Sequence, residues 1–432
     1  MAIAMDAYPI LVVGGGPAGV LTALAVARRT DRPAVVVEPS PELGRGTAYA
    51  TDEPHHLLNS RAKDMSVDPA APDDFVAWAR CRPDDFVPRA TFGAYVGARA
   101  GAVAHVARRA VRVRPAGPRW EVDLADGTSR EAAAVVLALG AAPPAFPAGA
   151  QAGIRLAAGY VADPWHPGAL AGIPPAARVL LLGTGLTAVD AALTLLARGH
   201  TGRIVAVSRH GLLPQPHTDR PAPPAPASAG AVTVRGLLRE LRSSDDWRAA
   251  VDALRPRADQ IWSALTIEER RRFLRHLARY WEIHRHRCAP AVARTIADAR
   301  ARGALAVRAG QVTSIHPAPR GGFAVRLGGG EHWTFDAVVN CTGPGHPAGI
   351  PLVRTLVADG LARADDLSLG IDVDSHGRPV GRDGTPREGL HAVGSLRRGR
   401  WWETTAIPEI RSQADALAAH LAARRPLDLA AA

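Results

Sequence analysis

The sequence contains the same strand-and-glycine pattern twice. Residues 10–19 read ILVVGGGPAG, an apolar run of strand length followed by G-x-G-x-x-G. Residues 179–188 read VLLLGTGLTA, where alanine takes the place of the third glycine. Each copy later reaches another apolar run that ends on glycine, at 134–140 and at 337–343. A glycine turn between a strand and a helix lets a pyrophosphate approach the backbone, so each copy predicts a dinucleotide-binding unit.

Length and charge limit the classes of protein. The chain has 432 residues, which is too long for one core and fits two or three domains. No apolar run could cross a bilayer and no signal peptide is evident, so we expect a cytoplasmic protein that does not bind membranes. The net charge of +11 comes from arginines spread along the chain. They form no basic stripe, so we expect no nucleic-acid partner, and the oligomeric state stays open.

Cysteine and histidine give no sign of redox-active thiols or of a metal. Cys81, Cys288 and Cys341 include no C-x-x-C pair, which argues against a disulfide framework and against a dithiol reductase. We expect Cys341 to be a small buried hydrophobe. No histidine pair has the spacing of a zinc site, so no metal is expected.

The first copy has every part of a dinucleotide site in order. The glycines allow the tight turn, the close approach of a pyrophosphate and the packing of the next helix, which we expect from Pro17 to about Arg29. A second strand over 34–37 ends in a carboxylate that can accept hydrogen bonds from a ribose. The predicted cofactor-binding residues of this copy are Gly14, Gly15, Gly16, Pro17, Ala18, Gly19, Glu38 and the terminal Gly140.

The second copy differs at the end of its second strand. Ser208 falls opposite Glu38 of the first copy and is followed by Arg209. Loss of the carboxylate and gain of an arginine suit a 2′-phosphate, which favours NADPH over NADH, although Arg209 could also be a solvated surface residue. The predicted cofactor-binding residues here are Gly183, Thr184, Gly185, Leu186, Thr187, Ser208, Arg209 and the terminal Gly343. Two such sites in one chain suggest a flavin enzyme that a nicotinamide reduces.

These patterns predict an α/β protein with two Rossmann-like dinucleotide-binding domains and a helical insertion in the second. We expect the first part of one domain at 1–150, the second domain at 151–343 and the return to the first domain at 344–432. Residues 235–302 read as helices, and Thr266 with Glu269 forms a capping box. This insertion could cover a substrate pocket or merely complete the second domain.

Several longer stretches resemble one group of proteins. They are GRGTAY at 44–49, HLLN at 56–59, DMS at 64–66, DPW at 163–165, SRHGLLP at 208–214, HRHR at 284–287 and GSLRRGRWWETTAIPEIR at 394–411. The chain resembles the two-dinucleotide-binding-domain flavoproteins of the "NAD-binding 9" type, which are related to flavin-dependent N-oxygenases and flavin-containing monooxygenases. The resemblance implies FAD in the first domain and NAD(P)H in the second. It adds Arg45, Ser395, Thr405 and Ala406 to the predicted cofactor-binding residues.

The resemblance also bears on the reaction. The segment from Asn59 to Ser66 is similar to a stretch of flavin-containing monooxygenases whose asparagine lies over the flavin, so Asn59 is the candidate catalytic residue. Asn59 could instead close a turn. Residues 403–406 would open the final helix, with their N–H groups toward the flavin or a threonine as its cap. His56 and His217 are candidate proton-transfer groups, or structural histidines.

The function implied is that of an FAD- and NADPH-dependent monooxygenase. It would use O2, through a C4a-(hydro)peroxyflavin, to oxygenate a small nucleophilic substrate such as the amine of an amino acid in a biosynthetic pathway. Two alternatives stay open. One is an NADPH:FAD oxidoreductase without oxygen insertion, and the other is a non-catalytic flavin-binding pathway protein.

Overall fold

The computed structural model describes residues 8–218, 232–319 and 321–423. The strands in these ranges are β1 Ile10–Val13, β2 Ala34–Val37, β3 Ala104–Val106, β4 Ala110–Ala116, β5 Arg119–Leu124, β6 Ser129–Ala132, β7 Ala134–Leu137, β8 Tyr160–Val161, β9 Val179–Leu182, β10 Ile204–Ser208, β11 Leu305–Ala309, β12 Val312–Pro317, β13 Phe323–Leu327, β14 His332–Phe335, β15 Ala337–Asn340 and β16 Leu390–Ala392. The helices are α1 Pro17–Arg29, α2 Gly46–Tyr49, α3 Asp74–Ala79, α4 Arg89–Arg99, α5 Leu186–Ala197, α6 Val234–Arg242, α7 Trp247–Leu254, α8 Ala258–Ala264, α9 Ile267–His276, α10 Ala278–Arg285, α11 Pro290–Ala301, α12 Pro351–Ala358 and α13 Ile407–Ala423.

The first sheet is parallel throughout, in the order β16-β7-β1-β2-β3. All four residues of its central strand β1 are buried, as expected for a parallel strand that is covered on both faces. Ile10 and Val12 point into a core shared with α1 and α13. Leu11 and Val13 point into a second core, shared with α12 and with the antiparallel meander β4-β5-β6. The unbroken apolar run ILVV therefore serves two cores at once.

The second sheet repeats this plan in the order β11-β10-β9-β15-β8, again all parallel. Leu181 of β9 faces a core built with α5 and α11, while Leu180 and Leu182 face the antiparallel meander β12-β13-β14. The meander stands between β3 and β7 along the chain in the first sheet, and between β11 and β15, the equivalent strands, in the second. The duplicated sequence pattern is thus a duplicated fold, and the predicted fold class is confirmed.

The chain crosses between the two sheets twice. It leaves the first sheet after β7 and returns to it after β15. The two crossings lie side by side, because Ala142 and Gly345 form an antiparallel bridge. Ala150 already pairs with Ile315 of the second sheet's meander.

Helices fill most of the predicted insertion, but they belong to two different layers. Helices α6, α8, α9 and α10 pack around a small apolar cluster that includes Trp262 and Trp402, and α7 packs on α6 and α10. Helix α11 instead packs on α5 and leads into β11, so it is the crossover helix of the second sheet. Thr266 caps α9 by accepting from Glu269 N at 3.2 Å, which is one half of the predicted capping box. The Glu269 carboxylate makes other bonds in place of the reciprocal one. The Glu269 carboxylate accepts from Val234 N at 2.9 Å, which ties α9 to α6.

Among the described residues, no helix combines the length and apolarity that a membrane span requires. All three cysteines are free thiols, and Cys341 is buried in the core between α5 and the second sheet.

Helix α1 lies so close to the first glycine turn that its third glycine cannot carry a side chain. A Cβ at Gly19 would stand 1.8 Å from the Gly14 carbonyl oxygen. We expect Gly19→Ala to lower the free energy of unfolding by about 1–3 kcal/mol, the usual cost of overpacking. Denaturant titration measures this, with Gly101→Ala as the control, since a Cβ there meets nothing within 4 Å. Equal stability of the two variants would contradict this packing.

Candidate functional site

A cavity of about 840 Å³ lies at the carboxyl ends of the strands of the first sheet. This is the edge where open α/β sheets bind their ligands. The residues that line it come from the first glycine loop, the end of β2, the segment after β7, the chain after β16 and the start of α13. Strands from both ends of the chain therefore build one site.

The glycine loop makes an anion-binding floor for this cavity. Gly14 has a φ of +109°, and a Cβ there would stand 2.3 Å from the Ala138 carbonyl oxygen. Gly16 is the N-cap of α1 and offers no side-chain acceptor, so the first N–H groups of the helix are left for a ligand. Free N–H groups and the helix dipole at this position favour a phosphate.

Glu38 is held in place at one end of the cavity. Its Oε2 accepts from Gly15 N at 2.8 Å and its Oε1 accepts from Ser40 N at 3.0 Å. The Glu38 carbonyl oxygen bonds His105 Nε2 at 2.8 Å. Each carboxylate oxygen keeps acceptor capacity beyond these bonds, so Glu38 can still accept from two ribose hydroxyls.

Most of the residues predicted for the first site line this one cavity. They are Gly14, Gly15, Gly16, Pro17, Ala18, Glu38, Arg45, Gly140, Ser395 and Thr405. Gly19 lies beneath the loop and is not among the lining residues, and neither is Ala406. The Ser395 hydroxyl donates to the Gly140 carbonyl oxygen, so it links the segment after β16 to the segment after β7.

The cavity also includes residues that the sequence analysis did not select as site residues. Asp163 and Trp165 line it from the segment that crosses to the second sheet. The Arg89 guanidinium lies 5.1 Å from the centre of the Trp165 ring. The sequence marked this segment only through the DPW stretch at 163–165, which was part of the resemblance. No local pattern reveals where a crossing chain passes.

The segment predicted to open the final helix does not do so. Helix α13 begins at Ile407, with Pro408 in its first turn, and residues 403–406 precede it. Glu403 is buried and accepts from Trp281 Nε1 at 3.0 Å, with Arg285 Nη2 at 3.2 Å from its other oxygen. These bonds to α10 hold the segment outside the helix. Within the described ranges neither Thr404 nor Thr405 makes a side-chain bond to a helix N–H, and the expectation of a first turn at 403–406 was wrong.

The second glycine loop has the same close approach as the first. Gly183 has a φ of +122°, and a Cβ there would stand 2.3 Å from the Cys341 carbonyl oxygen. Gly185 is the N-cap of α5, again without a side-chain acceptor. Leu186 and Thr187 form the first turn of that helix, and Gly343 follows β15.

The end of β10 presents one inward and one outward side chain. The Ser208 hydroxyl bonds Thr184 Oγ1 at 2.8 Å and accepts from Gly211 N at 3.1 Å, so it braces the loop. Arg209 is exposed and, in the part of the chain that the structure describes, no carboxylate lies within ion-pair distance of it. A free cation at this position can meet a phosphate.

A second arginine, which the sequence analysis missed, lies over the same loop. Arg279 of α10 donates from Nη2 to the Leu212 carbonyl oxygen at 3.0 Å, with Thr184 Oγ1 at 3.5 Å. Its Nη1 is 3.7 Å from the place of a Cβ on Gly185. Arg279 reaches this loop from the insertion, far away in sequence, and no spacing rule could have found it.

The candidate catalytic asparagine lies where the two sheets' layers meet. The Asn59 carbonyl oxygen bonds His217 Nε2 at 2.9 Å. Burial lowers the pKa of His217 to about 4, so the ring is neutral at pH 7. Asn59 is not among the residues that line the 840 Å³ cavity, and its catalytic role stays a prediction.

His56, the other candidate proton-transfer group, has a structural environment. Its Nδ1 lies 2.9 Å from Thr51 Oγ1, and its Nε2 lies 2.9 Å from Thr194 Oγ1 and 3.1 Å from the Asp190 carbonyl oxygen. Both ring nitrogens are therefore in use, and burial lowers the pKa of the ring. Of the two readings of His56, the structural one fits.

A polar cavity of about 430 Å³ lies on the other side of α13. Arg397 lines it, is 9% exposed and stacks on Trp401, with 4.0 Å from its guanidinium carbon to the ring centre. Burial lowers the pKa of Arg397 to about 10. Asp259 lines the same cavity, and burial raises its pKa to about 6. Near neutral pH this cavity contains an incompletely solvated carboxylate.

Replacement of Asp259 by asparagine is expected to stabilise the protein at high pH. Because the folded-state pKa of about 6 lies above the 3.8 of a free aspartate, folding favours the protonated carboxyl. Stability from this group is therefore complete below about pH 4 and is lost as the pH rises through 6. The apparent Tm of Asp259→Asn should exceed that of the parent at pH 8, and the two should converge toward pH 4. A difference that does not change with pH would contradict this prediction.

Comparison with known proteins identifies the first part of the chain. Residues 11–142 match a family model described as FAD-NAD(P)-binding, so this part is similar to FAD/NAD(P)-binding domains. No curated protein sequence matches the chain.

Solved structures match almost the whole chain. The ornithine N-hydroxylase of Kutzneria sp. 744, with reduced FAD, NADP+ and L-ornithine, gives a TM-score of 0.67 at 17% identity over 96% of this chain and 99% of that one. The FAD-bound cadaverine monooxygenase of Erwinia amylovora gives 0.69 at 14% over 97% and 95%. The thioredoxin reductase of Lactococcus lactis gives 0.52 at 14% over 96% and 97%. At these identities the likeness shows the fold, that of flavoproteins with two dinucleotide-binding domains.

Proposed function

We propose that this protein is an FAD- and NADPH-dependent monooxygenase that hydroxylates the nitrogen of a small amine. One observation carries the proposal. The two glycine loops have the same backbone geometry, but they carry different groups at the end of the second strand. The first loop faces the fixed carboxylate of Glu38, which suits the ribose of FAD. Beside the second loop, β10 ends at Ser208 and is followed by the exposed cation of Arg209, which suits the 2′-phosphate of NADPH.

The residues present fit FAD in the first cavity. The bare N-terminus of α1 would hold the pyrophosphate, and Glu38 would hold the adenosine ribose. A Cβ on Gly16 would come within 3.4 Å of the Gly46 Cα, so the glycine keeps open the space between these two lining residues of the cavity. Bound FAD would supply the chemistry of hydride acceptance and of reaction with oxygen. The chain itself binds, orients and shields the cofactor.

The thioredoxin reductase neighbour shows that the fold alone does not decide the reaction. Two observations favour oxygenation over transfer of electrons to a dithiol. In this chain, Cys288 and Cys341 are buried, and burial raises the pKa of Cys288 to about 11. Such thiols are poor redox centres. The neighbours that are named for N-hydroxylation of ornithine and for oxygenation of cadaverine support a nitrogen as the acceptor of the oxygen atom.

The proposed reaction hydroxylates the nitrogen of the amine. One atom of O2 enters an N–H bond of the amine and gives a hydroxylamine. The other atom leaves as water, with two electrons from NADPH and one proton from solvent.

A labelled turnover experiment tests this function. The FAD-loaded enzyme is mixed with NADPH, ¹⁸O2 and a panel of amines, and hydroxylamine, hydrogen peroxide and NADPH consumption are measured. The proposal predicts a hydroxylamine that contains one ¹⁸O atom and forms in proportion to NADPH consumed. Consumption of NADPH with peroxide as the sole product for every amine would instead support a reductase or oxidase.

Arg209→Ala is expected to remove the preference for NADPH. Loss of a charge-assisted contact to the 2′-phosphate should raise the KM for NADPH roughly tenfold or more, and should leave the KM for NADH unchanged. Steady-state reduction of FAD with each nucleotide measures this. Arg302→Ala, which removes another exposed charge, is the control. An unchanged ratio of the two KM values would place the 2′-phosphate elsewhere.

Asn59→Ala is expected to uncouple NADPH use from oxygenation. If Asn59 acts beside the flavin, the variant should still be reduced by NADPH at the normal rate, but it should yield more hydrogen peroxide and less hydroxylamine. The ratio of the two products measures the effect. A ratio equal to that of the parent enzyme would show that Asn59 only supports the chain next to His217.

A further inference from the structure

A cavity of about 580 Å³ lies inside the helical insertion, and it shares no lining residue with the 840 Å³ cavity or with the polar one. Its volume lies within the range of small-molecule sites. The walls come from α6 to α10 and from the chain just before α13. Its aromatic lining consists of Trp247, Trp262, Phe273, Tyr280, Trp281 and Trp402.

The walls offer apolar faces and few polar groups. Trp262 Nε1 donates to the Gly399 carbonyl oxygen at 3.0 Å, and Trp281 Nε1 donates to Glu403 at 3.0 Å. Two of the four indole N–H groups in the lining are thus already paired with groups that do not line the cavity. Among the described residues that line it there is no aspartate or glutamate. A cavity of this kind suits an apolar ligand, and its described lining offers no carboxylate to pair with a second ammonium group.

The few polar lining residues stand near solvent. Tyr280 is 45% exposed, and Arg242 at the end of α6 is also exposed. His284 donates from Nδ1 to the Tyr280 carbonyl oxygen at 2.7 Å, so this nitrogen is in use. The interior of the cavity is therefore the apolar part, and the polar groups mark its rim.

The cavity adjoins both nucleotide sites. The Tyr280 ring lies 5.9 Å from that of His210, which follows Ser208 and Arg209. Trp402 is three residues before Thr405, which lines the 840 Å³ cavity. Three residues span at most about 11 Å, so the backbones of these two walls lie within about that distance of each other.

We infer that this cavity binds the apolar part of the substrate, and that the substrate is a monoamine with a large alkyl or arylalkyl group. The inference rests on the proposed monooxygenase function and specifies its substrate class. It separates this chain from enzymes that act on ornithine or cadaverine, because the second charged group of such a substrate would meet no carboxylate in the described lining of this cavity. Burial of each further methylene should tighten binding roughly three- to fourfold until the cavity is full.

Calorimetric titration of the FAD-loaded enzyme, without NADPH, tests the inference apart from turnover. The probes are butylamine, pentylamine, hexylamine and octylamine, with cadaverine as the matched partner of pentylamine. The Kd should fall at each added methylene, and cadaverine should bind at least tenfold more weakly than pentylamine. Equal Kd values along the series, or tighter binding of cadaverine, would overturn the inference.

A variant that fills the cavity locates the binding. Leu238→Trp places a larger side chain in the α6 wall, and Leu156→Trp makes the same change at a residue that is 96% exposed and outside the cavity. The first should weaken octylamine binding at least tenfold and butylamine binding less, while the second should change neither. If Leu238→Trp loses FAD or unfolds, Leu238→Phe makes a smaller version of the same change. Unaltered octylamine binding in a folded variant would place the ligand elsewhere.

Turnover of the same amines separates the two proposals. Chain-length-dependent binding without any hydroxylamine under NADPH and O2 would contradict the monooxygenase function but not the binding of apolar groups in the cavity. Hydroxylation of cadaverine but not of octylamine would support the function and contradict the inferred substrate class.

Discussion

The structure depends on one contact made twice, the approach of a glycine turn to the backbone of a neighbouring strand end. Gly14 lies against the Ala138 carbonyl oxygen and Gly183 against that of Cys341, and at either position a Cβ would stand 2.3 Å away. Both turns also need a positive φ that favours glycine. Because each turn is pinned in this way, the helix after it begins at the carboxyl edge of its sheet with its N–H groups free. Both proposed nucleotide sites follow from that placement.

The two sheets are joined by buried polar contacts as well as by the crossing chain. Arg89 of α4 pairs with Asp190 of α5 at 2.8 Å, and their side chains are 10% and 7% exposed. Removing one partner of such a pair leaves a buried charge, which costs about 3–5 kcal/mol. The insertion is fixed to the first site in a comparable way, through Glu403 and its bonds to Trp281 and Arg285. A ligand in the insertion would therefore touch elements that also form both nucleotide sites.

The sequence predicted the parts that local patterns determine. The strands of both copies, helix α1 and the placement of Glu38 follow from apolar runs and glycine spacing. The predicted start of α13 was wrong, because the burial of Glu403 against α10 overrides the local tendency of residues 403–406 to form a helical turn. Arg279 was missed because it reaches the second loop from the insertion, and the apolar cavity was missed because tryptophans that line a cavity have the same spacing as tryptophans that fill a core. Long-range packing, which one sequence does not encode as a pattern, decides all three.

The central claim is that the two loops hold a flavin and the nicotinamide that reduces it. Anaerobic mixing of the FAD-loaded protein with NADPH tests this most directly, because it involves neither oxygen nor the substrate. The account predicts that the flavin absorbance bleaches, that NADPH acts faster than NADH, and that deuterium at the transferred position of the nicotinamide slows the bleaching. NADPH that binds at the second loop and leaves the flavin oxidised would contradict the account.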